Sequence, residues 1–427
     1  MFDVGVRAVR AEALIGGVVR LKGDRLDVAG ETYRLDKRGR VFVIGAGKAS
    51  AAMAKAVELA LGDRIHSGLI ITKYGHAAPC SRIQVVEAGH PYPDRAGLEA
   101  TSRIADLCAS CREEDLVICL FSGGGSALLA DCPPGMNLAE YIELSKALVT
   151  SGASIAEINA VRKHLGFVKG GQLARCAWPA RIVTLALSDV VGDRLDVIAS
   201  GPTFPDPTTY KDAIGVLRKH NIQTPPSAME WLEKGAHGEI KETPKPGDAC
   251  LSRSTNIVIG SNRTALSAAL DHARRSRVDG RIVTDTIEGT TAEAADHISR
   301  ELKLERARRV DGPAYCLLFG GEPALKVQGA GLGGRNQHLA LEIAKRLAGS
   351  DHITVLCGGT DGTDGPTDAA GAIVDSGTWD SARMAGMSPQ AFLDRFDSYH
   401  FFRATGGHVM TGPTMTNVMD VVIGVVM

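Results

Sequence analysis

The sequence predicts an α/β protein of two domains, each a sheet covered by helices. Three observations predict it. Short apolar strands alternate with helical stretches along the chain. Most of these strands are unbroken apolar runs and not alternating ones, the pattern of strands buried on both faces of a parallel sheet. The 427 residues suffice for two or three domains, and the stretch 223–249, rich in Pro, Lys and Glu, reads as a linker. The boundary is placed at 245, giving domains over 1–245 and 246–427.

The opening residues MFDVGVRAVRAEALIGGVVR hold a short apolar stretch broken by Asp3, Arg7, Arg10 and Glu12. They lack a small-residue cleavage site and read as an amphipathic helix, not a signal peptide. Strands follow at Val41–Gly45, Gly68–Thr72, Ile83–Ala88, Asp115–Phe121 and Arg181–Leu187. The second half adds Asn256–Gly260, Arg281–Thr284, Ala314–Phe319, Ile353–Cys357 and Val421–Val426. Helices are expected over Lys48–Ala60, Gly97–Ser110, Leu138–Thr150, Arg263–Arg275, Thr291–Leu302 and Gln337–Leu347. Leu138 to Arg175 has no strand signal and reads as a helical excursion.

Composition excludes several classes. Forty-eight basic against forty-nine acidic residues leave a net charge of −1. No global field steers the chain to nucleic acid or anionic lipid, whereas an anionic small molecule needs only a few local cations. Runs such as Leu116–Phe121 fall far short of the ~18 residues of a membrane span. Nine scattered cysteines, an odd number, suit the reduced thiols of a cytoplasmic protein. Cys108 and Cys111 form a lone CxxC without the second pair of a zinc site, so helix packing is the expected role.

Glycine makes up 49 of the 427 residues, about 11% against a usual ~7%, and much of the excess sits at strand ends. The turns are VIGAGK (43–48), LFSGGGS (120–126), VIGSN (258–262), LLFGGEP (317–323) and VLCGGTDGTDG (355–365). Ligands bind beyond the carboxyl ends of parallel strands, and glycine lets bare amides approach a phosphate. Five such turns, shared between both halves, point to a phosphate-rich site in an interdomain cleft. Ordinary strand–helix turns are the alternative. The candidate phosphate-binding residues are Gly45, Gly47, Ser122, Gly123, Gly124, Gly125, Ser126, Asn262, Gly320 and Gly321.

VIGAGKAS fits neither common nucleotide motif. A dinucleotide fingerprint needs a third glycine where Ser50 stands, and an acid where the next strand ends in Thr72 and Lys73. A phosphate-binding GxxxxGK[ST] loop needs glycine in place of Phe42 and Ser or Thr in place of Ala49. What remains is an ammonium, Lys48, at a helix N-terminus, an end cations avoid unless an anion binds there. Arg335 in GAGLGGRNQHLALEIA repeats the pattern, with a local salt bridge as the alternative. Ser126 is no nucleophile elbow, because Ala127 and Leu128 follow it.

Acidic candidates lie at other strand ends. Asp189 sits just past RIVTLAL, with Asp193 and Asp196 nearby, and suits either Mg²⁺ or a turn-capping role. Asp361, Asp364 and Asp368 resemble a calcium loop without its closing Glu, and turn formation explains them equally well. Asn159, Arg162 and Lys163 share one helix face, either solvated or ligand-binding. His90 and Asp94 in AGHPYPD are expected to shape a proline turn, with direct catalysis as the alternative.

Taken together, VFVIGAGKASAAMA, AGHPYPD, FSGGGSALL, EINAVRKHLGFVKGGQLA, LALSDVVGDRLDVIASGPT, LLFGGEPALKV, GLGGRNQHLALEIA and GGTDGTDGPTDAAGA resemble glycerate 2-kinases with a C-terminal MOFRL domain. The matches span nearly the whole chain in order. The resemblance implies a Rossmann-like N-terminal domain, a MOFRL-type C-terminal domain and an active site in the cleft between them. It implies Mg²⁺-dependent transfer of the ATP γ-phosphoryl group to the 2-hydroxyl of D-glycerate, giving 2-phosphoglycerate and ADP. In the family, the lysine of the GxGK turn and the arginine of the GGRNQ turn are the favoured catalytic pair, here Lys48 and Arg335. Asp189 is the candidate base or metal ligand, with Asp193 and Glu322 as further metal candidates. Replacing Lys48 or Arg335 by Ala is expected to lower kcat/KM roughly 10²-fold and leave the fold intact. The oligomeric state is left open, a homodimer included. The rival reading is an NAD(P)H-dependent hydroxypyruvate reductase, which needs the nicotinamide site that VIGAGKAS lacks.

Overall fold

The computed structural model describes residues 1–35, 38–309 and 312–427. The chain divides into two compact units, one of residues 11–259 and one of residues 260–427 joined by 1–10.

The first unit opens with a small antiparallel sheet of β1 (Val19–Lys22), β2 (Arg25–Val28) and β3 (Glu31–Arg34). These strands, too short for a periodic signal, are absent from the sequence expectation. The main sheet holds β4 (Val41–Ala46), β5 (Ile65–Lys73), β6 (Ile83–Ala88), β7 (Leu116–Phe121), β8 (Arg181–Leu187) and β9 (Ser254–Gly260), in the order β6-β5-β4-β7-β8-β9. From β6 to β8 the pairing is parallel throughout, as expected. The chain runs outward from β4 through β5 and β6, then returns to β7 on the other side of β4. That reversal is the switch point at which open parallel sheets bind ligands. Register aligns the ends: Ala46 lies opposite Ile71 and Phe121, and Phe121 opposite Ala186. The turns after β4, β7 and β8 therefore leave the sheet at one edge.

Helices over Leu138–Thr150, Ile155–His164, Tyr210–Lys219 and Pro226–Ala236 form a second apolar cluster with Leu144, Val161, Leu217 and Leu232 at its centre. The helical excursion is thus present, but the stretch 223–249 is no linker. Pro226 starts a helix, where a missing N–H costs no hydrogen bond. Ala228 and Leu232 are buried, and Trp231 Nε1 donates to the His164 carbonyl at 3.0 Å. Beyond it, β9 adds to the main sheet. The units accordingly divide at 259/260, and residue 245 lies inside the first one.

The second unit is a mixed sheet of β10 (Asp279–Ile287), β11 (Tyr315–Gly321), β12 (Ile353–Gly359), β13 (Gly371–Asp375), β14 (His408–Val409) and β15 (Asp420–Val426), ordered β10-β11-β15-β12-β13-β14. Only β10 and β11 pair in parallel; β15 is inserted antiparallel between β11 and β12. The parallel expectation fails here because a central strand is buried on both faces whichever way it runs, and VVIGVV reads the same in either case. The first helix, Phe2–Ala8, packs on Asn262–Arg275, where a Cβ on Gly5 would come within 2.8 Å of the Ala265 carbonyl oxygen. Thr416 Oγ1 donates to the Val9 carbonyl at 2.6 Å.

Candidate active site

In the first unit the site grows from the turns after β4, β7 and β8. Gly47 leaves β4 at φ 148°, and its carbonyl accepts from Thr72 Oγ1 at 3.0 Å. The Lys48 amide donates to the Gly123 carbonyl at 2.9 Å. The Ala49 amide donates to Ser122 Oγ at 3.0 Å, and Ser50 Oγ lies 3.2 Å from the same oxygen. The two turns are thereby joined across the switch point, and the half-buried Lys48 side chain carries no acidic partner among the described residues.

The glycines let side chains close on this backbone. A Cβ on Gly123 would fall 1.7 Å from Asp189 Oδ2. Gly124, at φ 83°, would place one 2.9 Å from the His90 ring and 3.4 Å from Lys48 Cγ. Lys48, His90 and Asp189 thus surround one short segment whose Gly123 and Gly124 amides have no acceptor among the described residues. Gly123→Ala must displace the Asp189 carboxylate. We expect a stability cost of about 1–3 kcal/mol with a fall in kcat of at least ~10-fold, read by thermal unfolding beside steady-state kinetics.

Several phosphate-binding candidates have other work. A Cβ on Gly45 would sit 2.0 Å from the Leu120 carbonyl oxygen, so this glycine serves strand packing. The Ser122 hydroxyl is buried and bonded within the turn. Gly125 packs on Ala199, and Ser126 Oγ lies 2.8 Å from Ser200 Oγ. His90 precedes Pro91 across a cis peptide bond, in the expected proline turn, and its ring also lies against the glycine run. Burial, then the charges of Lys48, Lys73, His76 and Arg162, lower its pKa to about 4. It is neutral at pH 7.

The second candidate cation sits differently. Arg335 opens helix Arg335–Leu347, as expected, but its guanidinium is taken up locally. Nε and Nη2 reach the two oxygens of Asp420 at 2.6 and 3.0 Å, and Nη1 reaches Glu322 Oε1 at 2.6 Å. The local salt bridge therefore accounts for this cation at the positive helix end. Asp420 opens β15 and is 2% exposed. Burial lifts its pKa to about 6 against the pull of Arg335 and Asn336. Asp364 accepts from the Asn336 and Gln337 amides at 3.0 and 2.8 Å, capping the same helix from a distant loop. Asp361 closes a turn onto the Thr363 amide, and Asp368 accepts from Tyr399. These loop acids are structural. A cavity of about 660 Å³ opens beside Arg335, lined by Glu322, Leu325, Val327, Gly334, Asp361 and Pro366 among others.

Asn262, Gly320 and Gly321 are corrected in the same way. Asn262 Nδ2 donates to the carbonyls of Val418 and Asp420, both at 2.8 Å. A Cβ on Gly320 would collide with Asn262 Oδ1 at 1.6 Å, and one on Gly321 with the Ile287 backbone at 2.3 Å. These contacts give all three a part in holding the sheet edge together. Among the described residues no group of three His, Cys, Asp or Glu side chains is placed to hold a metal. Asp189, Asp193 and Glu322 are therefore not a ready-made set, Glu322 being engaged with Arg335. The free cysteines include the CxxC pair, with Cys108 buried and burial pushing the Cys111 thiol up to about 12, as packing residues require.

Comparison with known proteins decides the family. A domain of unknown function, DUF4147, matches residues 1–233, and the MOFRL family matches residues 315–420. A D-glycerate 2-kinase of Thermotoga maritima is 42% identical over 391 residues, 91% of each chain. The chain belongs to the glycerate 2-kinase family. A crystal structure of a T. maritima glycerate kinase matches this family member with a TM-score of 0.88 at 39% identity, covering 100% of this chain and 97% of the other. One Agrobacterium vitis member, 42% identical over 90% of this chain and 86% of its own, carries a provisional hydroxypyruvate reductase name. Among the described residues no helix is long and apolar enough to cross a membrane.

Proposed function

We propose that this family member transfers the γ-phosphoryl group of ATP to the 2-hydroxyl of D-glycerate, giving 2-phosphoglycerate and ADP. The observation that carries the reading is Lys48, which has no acidic partner among the described residues and lies beside the paired β4 and β7 turns. Phosphoryl transfer depends on positioning and on neutralising spread charge more than on covalent help. The Gly123 and Gly124 amides and Lys48 hold the transferring phosphoryl. The 2-hydroxyl oxygen forms the new bond to Pγ as the bond from Pγ to the bridging oxygen breaks. The hydroxyl proton passes to Asp189, which lies against the same glycines. Arg335 acts in the same reaction, its fork oriented by Asp420.

Mg²⁺ is kept by one or two carboxylates plus substrate phosphates and needs no all-protein cage. Asp189 fits that requirement, with Asp193 four residues on, and the ion would supply charge neutralisation on the ATP phosphates. The reductase name finds no support in the VIGAGKAS turn. Ser50, where a dinucleotide fingerprint wants glycine, spends its hydroxyl on Ser122, and Thr72 spends its own on Gly47.

The test is ADP release from Mg²⁺-ATP with D-glycerate, with NMR of the product and a parallel cuvette of NAD(P)H and hydroxypyruvate. Glycerate-dependent ADP with phosphate on C2 is expected. Nicotinamide oxidation without ADP release sinks the kinase reading.

A further inference from the structure

Helix Ile155–His164 buries the polar side chain of Asn159. Ser200 Oγ donates to Asn159 Oδ1 and lies on Ser126 Oγ, each at 2.8 Å, and so ties this helix to the end of the Ser122–Ser126 segment. Asn159 is 2% exposed, yet its Nδ2 amide has no acceptor among the described residues. A buried donor left unmade costs roughly 1–3 kcal/mol, which a ligand oxygen would recover.

One helical turn on, Arg162 shares the helix face of Asn159. The neighbouring bases are already matched: Lys163 pairs with Asp206 at 3.2 Å and Lys169 with Asp131 at 2.5 Å. Arg162 has no carboxylate partner among the described residues, although it is half-buried. Burial holds its guanidinium below its ordinary pKa, and its charge is felt at His90 together with those of Lys48, Lys73 and His76. A desolvated guanidinium among bases calls for a planar anion with two oxygens at the spacing of its fork. A carboxylate has that shape.

We propose that Arg162 and Asn159 form a carboxylate subsite, which holds the α-carboxylate of a 2-hydroxy acid beside the Lys48, Gly123 and Asp189 segment. The inference rests on the kinase reading for the identity of the acid. It adds the residues that make the enzyme prefer an acid to a neutral polyol.

The experiment measures binding of D-glycerate and of its neutral amide, D-glyceramide, by calorimetry without nucleotide, and KM for D-glycerate and ATP. Wild type is expected to favour the acid about 10²-fold. Arg162→Gln should bring the two ligands within a few-fold, raise KM for D-glycerate about 10²-fold and leave KM for ATP unchanged. A preference retained in Arg162→Gln, or a loss that falls on ATP, overturns the subsite. If that variant melts well below wild type, Asn159→Asp decides. Its added carboxylate should weaken the acid and spare the amide, and equal loss of both overturns the subsite. Turnover of D-glycerate with an Arg162-independent preference fails the subsite alone. No turnover, with Arg162-dependent binding of glycolate or D-lactate, fails the kinase reading and leaves the subsite standing.

Discussion

Lys48→Ala is expected to lower kcat/KM by roughly 10²–10³-fold, about 3–4 kcal/mol of transition-state stabilisation, while the melting curve stays within the ±0.5 kcal/mol usual for such a change. The two halves of the result have separate causes. The ammonium has no acidic partner among the described residues, so its removal strands no buried charge. What holds the turn is backbone, the Lys48 amide on the Gly123 carbonyl, which alanine keeps. The lost charge matters only when a phosphoryl group develops negative charge beside it. Steady-state kinetics with D-glycerate and ATP, read beside calorimetric unfolding, checks both halves. Unchanged kcat/KM would remove Lys48 from the chemistry.

Arg335→Ala is expected to behave differently, with loss of both activity and stability. Its guanidinium is bidentate on Asp420, which is almost fully buried. Stripping one partner from such a pair leaves an uncompensated charge, at a cost of about 3–5 kcal/mol. The sequence-based expectation of an intact fold is therefore revised. The pH dependence follows from Asp420. Its folded pKa of about 6 lies above the ordinary carboxyl value of ~3.9, so the native state favours the protonated form. Stability from this group is present below the unfolded pKa and is lost as pH rises through the folded one. Without Arg335, which pulls it down, the folded pKa climbs further, so the variant's deficit should be small at pH 5 and grow as pH rises above 6. Adding Asp420→Asn to Arg335→Ala should restore most of the melting temperature and none of the activity. A double variant as active as wild type would reduce Arg335 to a structural role.

These two residues also show what a sequence does and does not reveal. Both were singled out as cations at positive helix ends, a local pattern visible in a few letters. Their difference depends on Asp420, 85 residues from Arg335, and no local pattern carries that. All ten expected strands are present, most of them as buried apolar runs such as β4, β7 and β15. β1 to β3 escaped notice because four-residue strands with mixed burial show no period. Helix Pro226–Ala236 was hidden by a composition that ordinarily marks connections. Gly123, Gly124 and Asp189 were legible as strand-end residues. The acceptor-free Asn159 and acid-free Arg162 were not, because lacking a partner is a property of three-dimensional surroundings.

The placement of residues 1–10 has a consequence in time. The segment leaves the ribosome before the surface it packs on, Asn262–Arg275, which follows some 250 residues later. At 5–20 residues per second that is a wait of about 10–50 s. Throughout it, Phe2 and Val6, both buried in the finished fold, have no native partner. These ten residues are thus made long before the surface that lets them fold.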